Sequence, residues 1–270
     1  MSFAQISQRL YLEPWAILPS AHGALSAAFR NHISHGATDL VGPKMEGQPI
    51  APQVRVAGRT AVVPVHGALG RHLSLMEMYC GGCDYAILTQ QLRNAEKDAS
   101  IDHIVLDFRS PGGMAAGLEE TCDVLNNLGK HTIAYTDGQC CSAAYALAVQ
   151  CDETFGAPSS TVGSLGTLIA FLDSSRAMEM QGLSLEVFRS GPLKAAPLQG
   201  ESLNDTTRAF YQGKLEEFDA VFRQLVARNR PGIDYQGLGG AWMTGRAGMD
   251  AGLLDALIPC LPDLLDLLST

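Results

Sequence analysis

Residues 136–152 read TDGQCCSAAYALAVQCD. Upstream, KHTIAYTDG is a short β-branched and aromatic segment ending in Asp-Gly, the composition of a strand running into a turn. Downstream, SAAYALAV has the Ala and Leu content of a buried helix. The spacing therefore sets Ser142 where a strand gives way to a helix. A serine there has two readings. It can cap the helix, its oxygen accepting from a free amide of the first turn. It can also be a nucleophile, because the same unpaired amides can hold a developing oxyanion. These residues alone leave both open.

Outward from this stretch, strands and helices alternate. RTAVVPVHG reads as a strand ending near Gly67, and RHLSLMEMYCGGC as a loop. DYAILTQQLRNAEKDA carries Ile87, Leu88, Leu92 and Ala95 at helical spacing. IDHIVLDFRSPGGMAAG is a strand, a Pro-Gly-Gly turn and the start of a helix through Leu128. ETFGAPSSTVGSLGTLIAFLD holds two short strands around a Ser/Gly-rich loop, SSRAMEMQG is a helix, and LSLEVFRSG is a strand. A long amphipathic helix opens at the cap candidate Asn204, and AWMTGRAGMDAGLLDALIP closes the domain. The class is α/β. Residues 14–35 read as a helical N-terminal arm and 35–53 as a Gly/Pro-rich linker, so the expected division is an arm and linker over 1–53 and one domain over 54–270.

Composition narrows the function. The chain has 270 residues, 46% of them hydrophobic, which supports a substantial core. A net charge of −9 with no long basic run argues against a nucleic-acid surface. Seven cysteines at irregular spacing do not form a secreted disulfide framework. The N-terminal apolar stretch is broken by Glu13, Pro14, Pro19 and His22, so neither a signal peptide nor a membrane anchor is expected, and the reading is a soluble, cytoplasmic protein. The C-x-x-C of Cys80 and Cys83 reads either as loop cysteines or as a redox or half-metal site; no second ligand pair is evident, so no metal is expected.

A nucleophilic serine needs a base. All seven histidines (22, 32, 35, 66, 72, 103 and 131) precede Ser142, which weakens a Ser–His site without removing it. Two lysines follow. Lys214 lies on a charged helix face beside Glu216 and Glu217. Lys194, in RSGPLKAAPL, has no acid within six residues on either side. A lysine acts as a base only when neutral, a form that apolar surroundings favour. An exposed loop-tip lysine is the alternative.

These residues resemble peptidase family S49, the signal peptide peptidase A group and the related bacteriophage head-maturation proteases. The likeness rests on Ser142 in CCSAAYALAVQCD, VGSLGT, Lys194, the SPGG turn shared with Clp-type proteases, and TGRAGMDAGLLDAL. EPWAILPSAHGALSAAF is similar to the start of the phage members. The resemblance implies a Clp/crotonase-like fold of stacked ββα units. It implies Ser142 as nucleophile, Lys194 as general base, Ser164 as the partner that holds the lysine, and the amides of Gly113 and Ala143 as the oxyanion hole. It further implies a capsid or scaffold protein as substrate, a homo-oligomer, no cofactor, and a setting in the host cytoplasm or prohead. Two features depart from the family pattern: KAAPLQGE follows the lysine where phage members continue toward GNP, and Cys140 and Cys141 precede the serine where Ala or Gly is usual. Signal-peptide-type degradation, an acyl-CoA crotonase and an inactive assembly domain are the competing functions. A crotonase has no need of Ser142 or Lys194.

Overall fold

The structure is a computed structural model that describes residues 9–34, 52–194, 196–198 and 200–269. Along the chain, β1 (Trp15–Ile17) leads into α1 (Pro19–Ser34). Then come β2 (Arg55–Ala57), β3 (Thr60–His66), β4 (Leu69–Gly70), α2 (Leu75–Tyr79), β5 (Cys83–Asp84) and α3 (Tyr85–Lys97). β6 (His103–Arg109), β7 (Gly112–Met114) and α4 (Leu118–Asn126) follow, and after them β8 (His131–Thr136), β9 (Gln139–Cys141) and α5 (Ala143–Ala148). β10 (Glu153–Gly156), β11 (Thr161–Gly163), α6 (Ser175–Met180) and α7 (Asp205–Asn229) lead to α8 (Tyr235–Leu238), β12 (Trp242–Thr244), α9 (Gly245–Asp250), β13 (Ala256–Leu257) and α10 (Leu261–Leu268).

The fold is α/β. Its main sheet has the order β13-β10-β8-β6-β3-β2, parallel from β3 to β13 with β2 antiparallel at one edge. Parallel strands covered on both faces are apolar almost continuously, and β3 and β6 have that character. Ala61, Val63, Val65, Ile104, Leu106 and Phe108 join the core that contains α3, α4 and α5. Val62, Val105, Ile133 and Tyr135 face the other way, toward Leu261 and Leu264 of α10. Each such buried aliphatic side chain contributes about 1.5–3 kcal/mol. A charge at Val105 would place an unpaired ion between the two layers.

After β3, β6, β8 and β10 the chain makes a second, shorter strand: β4, β7, β9 or β11. These short strands form two small sheets, β1-β7-β4-β5 and β12-β11-β9. The first three pairs are each followed by a helix. Asp84 caps α3, accepting from Ala86 N at 2.8 Å, and Tyr85, Leu88, Leu92 and Ala95 form its buried face. Asn204 caps α7 as expected, accepting from Thr207 N at 2.8 Å.

Three local expectations are corrected. The N-terminal arm is not purely helical: Trp15–Ile17 is a buried strand paired to β7. Most of the expected linker, 35–51, lies outside the described residues. Residues 71–83 are not all loop: Ser74 and Glu77 form a reciprocal cap that starts α2, Ser74 N donating to Glu77 Oε2 at 2.7 Å and Glu77 N to Ser74 Oγ at 3.3 Å. Residues 183–190 are not a strand; they form an irregular segment in which Leu183, Leu185 and Phe188 are exposed.

Candidate active site

Ser142 joins β9 to α5. β9 runs parallel to β11 with Cys141 opposite Gly163, and Ser142 N donates to Gly163 O at 2.8 Å. The backbone at Ser142 has φ 53° and ψ −117°. That conformation is costly for any residue with a Cβ, on the order of 1–3 kcal/mol. It is also not the extended geometry of a capping serine. Its side chain makes no cap bond to α5; Oγ donates instead to Gly166 O at 3.1 Å. The hydroxyl is thus withheld from the role that a serine at a helix start ordinarily fills. Ser142 is fully buried, and so is every residue of α5.

β7 forms the facing wall. Gly112 has φ 99°, and a Cβ there would strike Ala16 O and stand 2.9 Å from Cys141 O and 3.1 Å from Ala143 N. The position is therefore closed to any side chain, and the two backbones lie against one another. Gly113 sits between Leu69 of β4 and Ala16 of β1. Ser110 holds this strand from below. Its Oγ donates to Gly67 O at 2.6 Å and accepts from Gly112 N at 3.2 Å.

Ser164 is buried at φ 52°, its amide donating to Ala241 O at 2.7 Å. It lines a cleft of about 650 Å³ together with Gly166, Asp219, Arg223 and Tyr235. The Tyr235 hydroxyl donates to Asp219 Oδ1 at 2.7 Å, and Arg223 Nε to Asp219 Oδ2 at 2.8 Å. Burial and the Asp219 carboxylate raise the Tyr235 hydroxyl above its usual pKa. Burial likewise pushes the Cys141 thiol up to about 12.

Ser142, Ala143, Gly113 and Ser164 thus come together at one end of the short strands. Lys194 is exposed, unlike these buried residues. It closes an exposed turn, its amide donating to Gly191 O at 3.0 Å, and among the described residues no hydrogen bond joins its side chain to Ser142 or Ser164. The β1 strand, the anchoring role of Ser110 and the Tyr235–Asp219–Arg223 wall are not evident from the sequence alone. Only Ser110 carried a signal, as the first residue of the SPGG cluster. Among the described residues no group of three or more His, Cys, Asp or Glu is arranged to hold a metal, and no helix is long and apolar enough to cross a membrane.

Comparison with known proteins assigns the family of the chain. The family model of peptidase family S49 matches residues 125–259, a span that carries Ser142, Ser164 and Lys194. The chain belongs to peptidase family S49. Among its S49 relatives is the head-tail preconnector protein GP5 of Enterobacteria phage P21, 30% identical over 209 residues, covering 76% of this chain and 42% of that protein. Another is the capsid assembly protease C of Escherichia phage lambda, 28% identical over 223 residues, covering 79% of this chain and 49% of that protein. The chain spans less than half the length of these two S49 relatives.

Proposed function

We propose that the chain is a serine endopeptidase with a Ser–Lys dyad on a Clp/crotonase-like fold. The observation that carries this reading is Ser142 itself: a buried serine in a strained backbone conformation at a helix start, its hydroxyl not used as a cap. Strain of this kind persists where the surrounding structure over-determines it, and it clusters at sites of chemistry.

In the mechanism, Ser142 Oγ attacks a peptide carbonyl. The carbonyl oxygen takes up charge against the Gly113 and Ala143 amides, the latter at the first turn of α5, where N–H groups are unpaired. Neutral Lys194 takes the hydroxyl proton and returns it to the leaving amine, while Ser164 orients the lysine. The acyl-enzyme is then released by a water deprotonated by the same amine. Lys194 is exposed, so in this mechanism the turn at 191–194 closes over the serine when substrate binds.

The names of the P21 and lambda relatives support a capsid or scaffold protein as substrate, in a host cytoplasm or prohead. A closed homo-oligomer that hides the cleft fits a protease of this kind. The exposed position of Lys194 favours one other reading, an assembly domain without turnover.

A serine-directed fluorophosphonate separates the two. Labelling of Ser142, located by peptide mass and absent in Ser142→Ala, is the expected result. An unlabelled, folded protein would leave only the assembly role.

A further inference from the structure

A peptide carbonyl that is to reach the Gly113 and Ala143 amides must run along β7, because an extended segment docks on a strand edge through its main chain. One edge of β7 carries β4, with Leu69 opposite Gly113. The other edge is already taken by this chain's own β1. It runs antiparallel, with Trp15 opposite Met114, Ala16 opposite Gly113 and Ile17 opposite Gly112. Just outside the strand, Leu18 N donates to Pro111 O at 2.8 Å and Ala115 N to Pro14 O at 3.1 Å.

Antiparallel partners alternate between hydrogen-bonded and non-hydrogen-bonded pairs. With the 14/115 and 18/111 pairs bonded, Ala16 and Gly113 form the bonded pair between them. The Gly113 N–H therefore faces the Ala16 carbonyl. That same carbonyl oxygen is what a Cβ on Gly112 would strike, and such a Cβ would stand 3.1 Å from Ala143 N. Ala16 thus presents a carbonyl to the corner where the two amides of the oxyanion hole meet.

β1 is bound on its other side as well. Trp15 N donates to Leu168 O at 2.8 Å and Leu168 N to Trp15 O at 2.7 Å, two residues beyond the carbonyl that holds Ser142 Oγ. The Trp15 indole donates to Arg9 O at 2.7 Å and packs with Leu10, Ile17, Phe29 and Met114. Ala16 is wholly buried.

We infer that residues 14–18 form an internal inhibitor strand, bound in the peptide cleft in the place and direction of a substrate, and that a substrate must displace it. The inference rests on the reading of Ser142 as nucleophile. Its ligand class is an extended peptide held mainly by its main chain, with a small apolar residue at the Ala16 position. The strand itself stays uncut.

The test uses the full chain and a peptidyl phosphonate long enough to pair with β7. Its labelling rate at Ser142 is compared in wild type, Ala16→Pro and Trp15→Ala. Proline at position 16 removes the N–H that pairs with Gly113 and so weakens the strand. If the cleft is open about a tenth of the time in wild type, freeing it speeds labelling about tenfold. In labelled wild type, amide hydrogen exchange should quicken in segments 14–18 and 166–168. This measurement decides the matter if the variants do not fold. Equal labelling rates with unchanged exchange protection would overturn the inhibitor strand alone. No labelling of Ser142 in any folded form would overturn the peptidase reading and the strand with it. A Ser142-dependent cut between residues 14 and 18 would overturn inhibition and make the segment a substrate.

Discussion

Trp15 and Leu168 exchange both of their backbone hydrogen bonds, at 2.8 and 2.7 Å, although 153 residues separate them in the chain (168 − 15). The pair continues a main-chain ladder that starts at β7, passes through β1 and ends beside the carbonyl that holds Ser142 Oγ. The cleft that Ser164 lines draws its walls from three distant segments as well, at Ile17, at Gly166 and Leu168, and at Asp219 and Tyr235. Their relative positions depend on backbone bonding that no single segment can specify.

The backbone at Ser142 offers a direct measure of stored strain. Ser142→Ala and Ser142→Gly both remove the hydroxyl and its bond to Gly166 O, and both should abolish cleavage. They differ in the Cβ that has to sit at φ 53°. Glycine tolerates that conformation and alanine does not. Ser142→Gly should be the more stable of the two by about 1 kcal/mol, in the same direction as the preference for glycine over alanine at an ordinary N-cap. For a domain of this size that is a difference in Tm of about 2–4 °C. A less stable glycine variant would remove strain from the account.

Ser110 is the positioning residue of β7. Its hydroxyl serves Gly67 O and Gly112 N together, in a fully buried setting. Ser110→Ala leaves both backbone groups without that partner, at a cost of about 1–3 kcal/mol. Because the strand it anchors carries Gly113, kcat should fall more than KM rises in the folded variant. A variant that loses stability with kcat intact would limit Ser110 to a structural role.

The parts of the fold that were legible in the sequence were those specified locally. α3 and α7 announce themselves by apolar periodicity and by Asp84 and Asn204 at their starts. The parallel strands β3 and β6 announce themselves by continuous apolar runs. The Ser-x-x-Glu cap of α2 is also present in the sequence at 74–77, in a stretch whose Gly-Gly pair otherwise reads as loop. The segment 183–190 misleads for a physical reason. LSLEVF alternates as a strand should, yet the segment pairs with neither edge strand of the main sheet, β2 or β13, and alternation alone supplies no partner. β1 is the converse: three residues with no pattern of their own, made a strand by partners about a hundred residues away. In the candidate site, the residue types at Ser142, Ser164 and Gly113 stood out in the sequence. The occupant of the β7 edge did not, because edge pairing is a tertiary property.

Asp255 fastens the C-terminal segment to β10. It accepts from Arg230 Nη1 at 2.6 Å and from Thr154 N at 2.8 Å, with a second contact to Arg230 Nη2. Partial burial works against the charged carboxylate, but the Arg230 and Thr154 bonds outweigh it and hold the group below the usual aspartate range. The folded pKa is thus depressed. The pair's contribution is complete above the unfolded value near 4 and is lost as pH falls through the lowered folded value. Asp255→Asn should cost about 1 kcal/mol at neutral pH, since the pair is partly solvent-screened. Denaturant midpoints of wild type and variant should converge as pH falls below the usual aspartate range. A gap that persists at low pH would point to packing instead of charge.

The cysteines should separate by burial. Cys80 is exposed, while Cys122, Cys140, Cys141 and Cys151 are buried, and burial raises the thiols of all four. The thiolate is the reactive form, so a raised thiol is slow even when reached. Iodoacetamide at pH 8 should alkylate Cys80 in the native protein and leave those four untouched until denaturant is added. Native labelling of Cys140 or Cys141, read by peptide mass, would mean that the strand leading into Ser142 opens.

Lys194 gives the most demanding prediction, because its proposed role requires a change from the position described. Its turn is exposed, and the chain leading into it lacks regular structure from residue 183. If the turn folds over Ser142 when a peptide binds, two variants should fail alike. Lys194→Ala lacks a base, and Lys194→Arg carries a guanidinium that stays protonated at any working pH. Loss of a general base costs about 10²–10⁴-fold in turnover. Both variants should keep the wild-type fold and Tm, since Lys194 is exposed and, among the described residues, no hydrogen bond or ion pair of its side chain would be lost. Hydrogen exchange should slow across 183–194 when a peptidyl phosphonate occupies Ser142, and it should not slow in the unreacted enzyme. An active Lys194→Arg variant would move the base elsewhere, whatever the exchange data show. Inactive variants with unchanged exchange would keep the lysine as base but require a partner subunit, not this turn's closure, to deliver it.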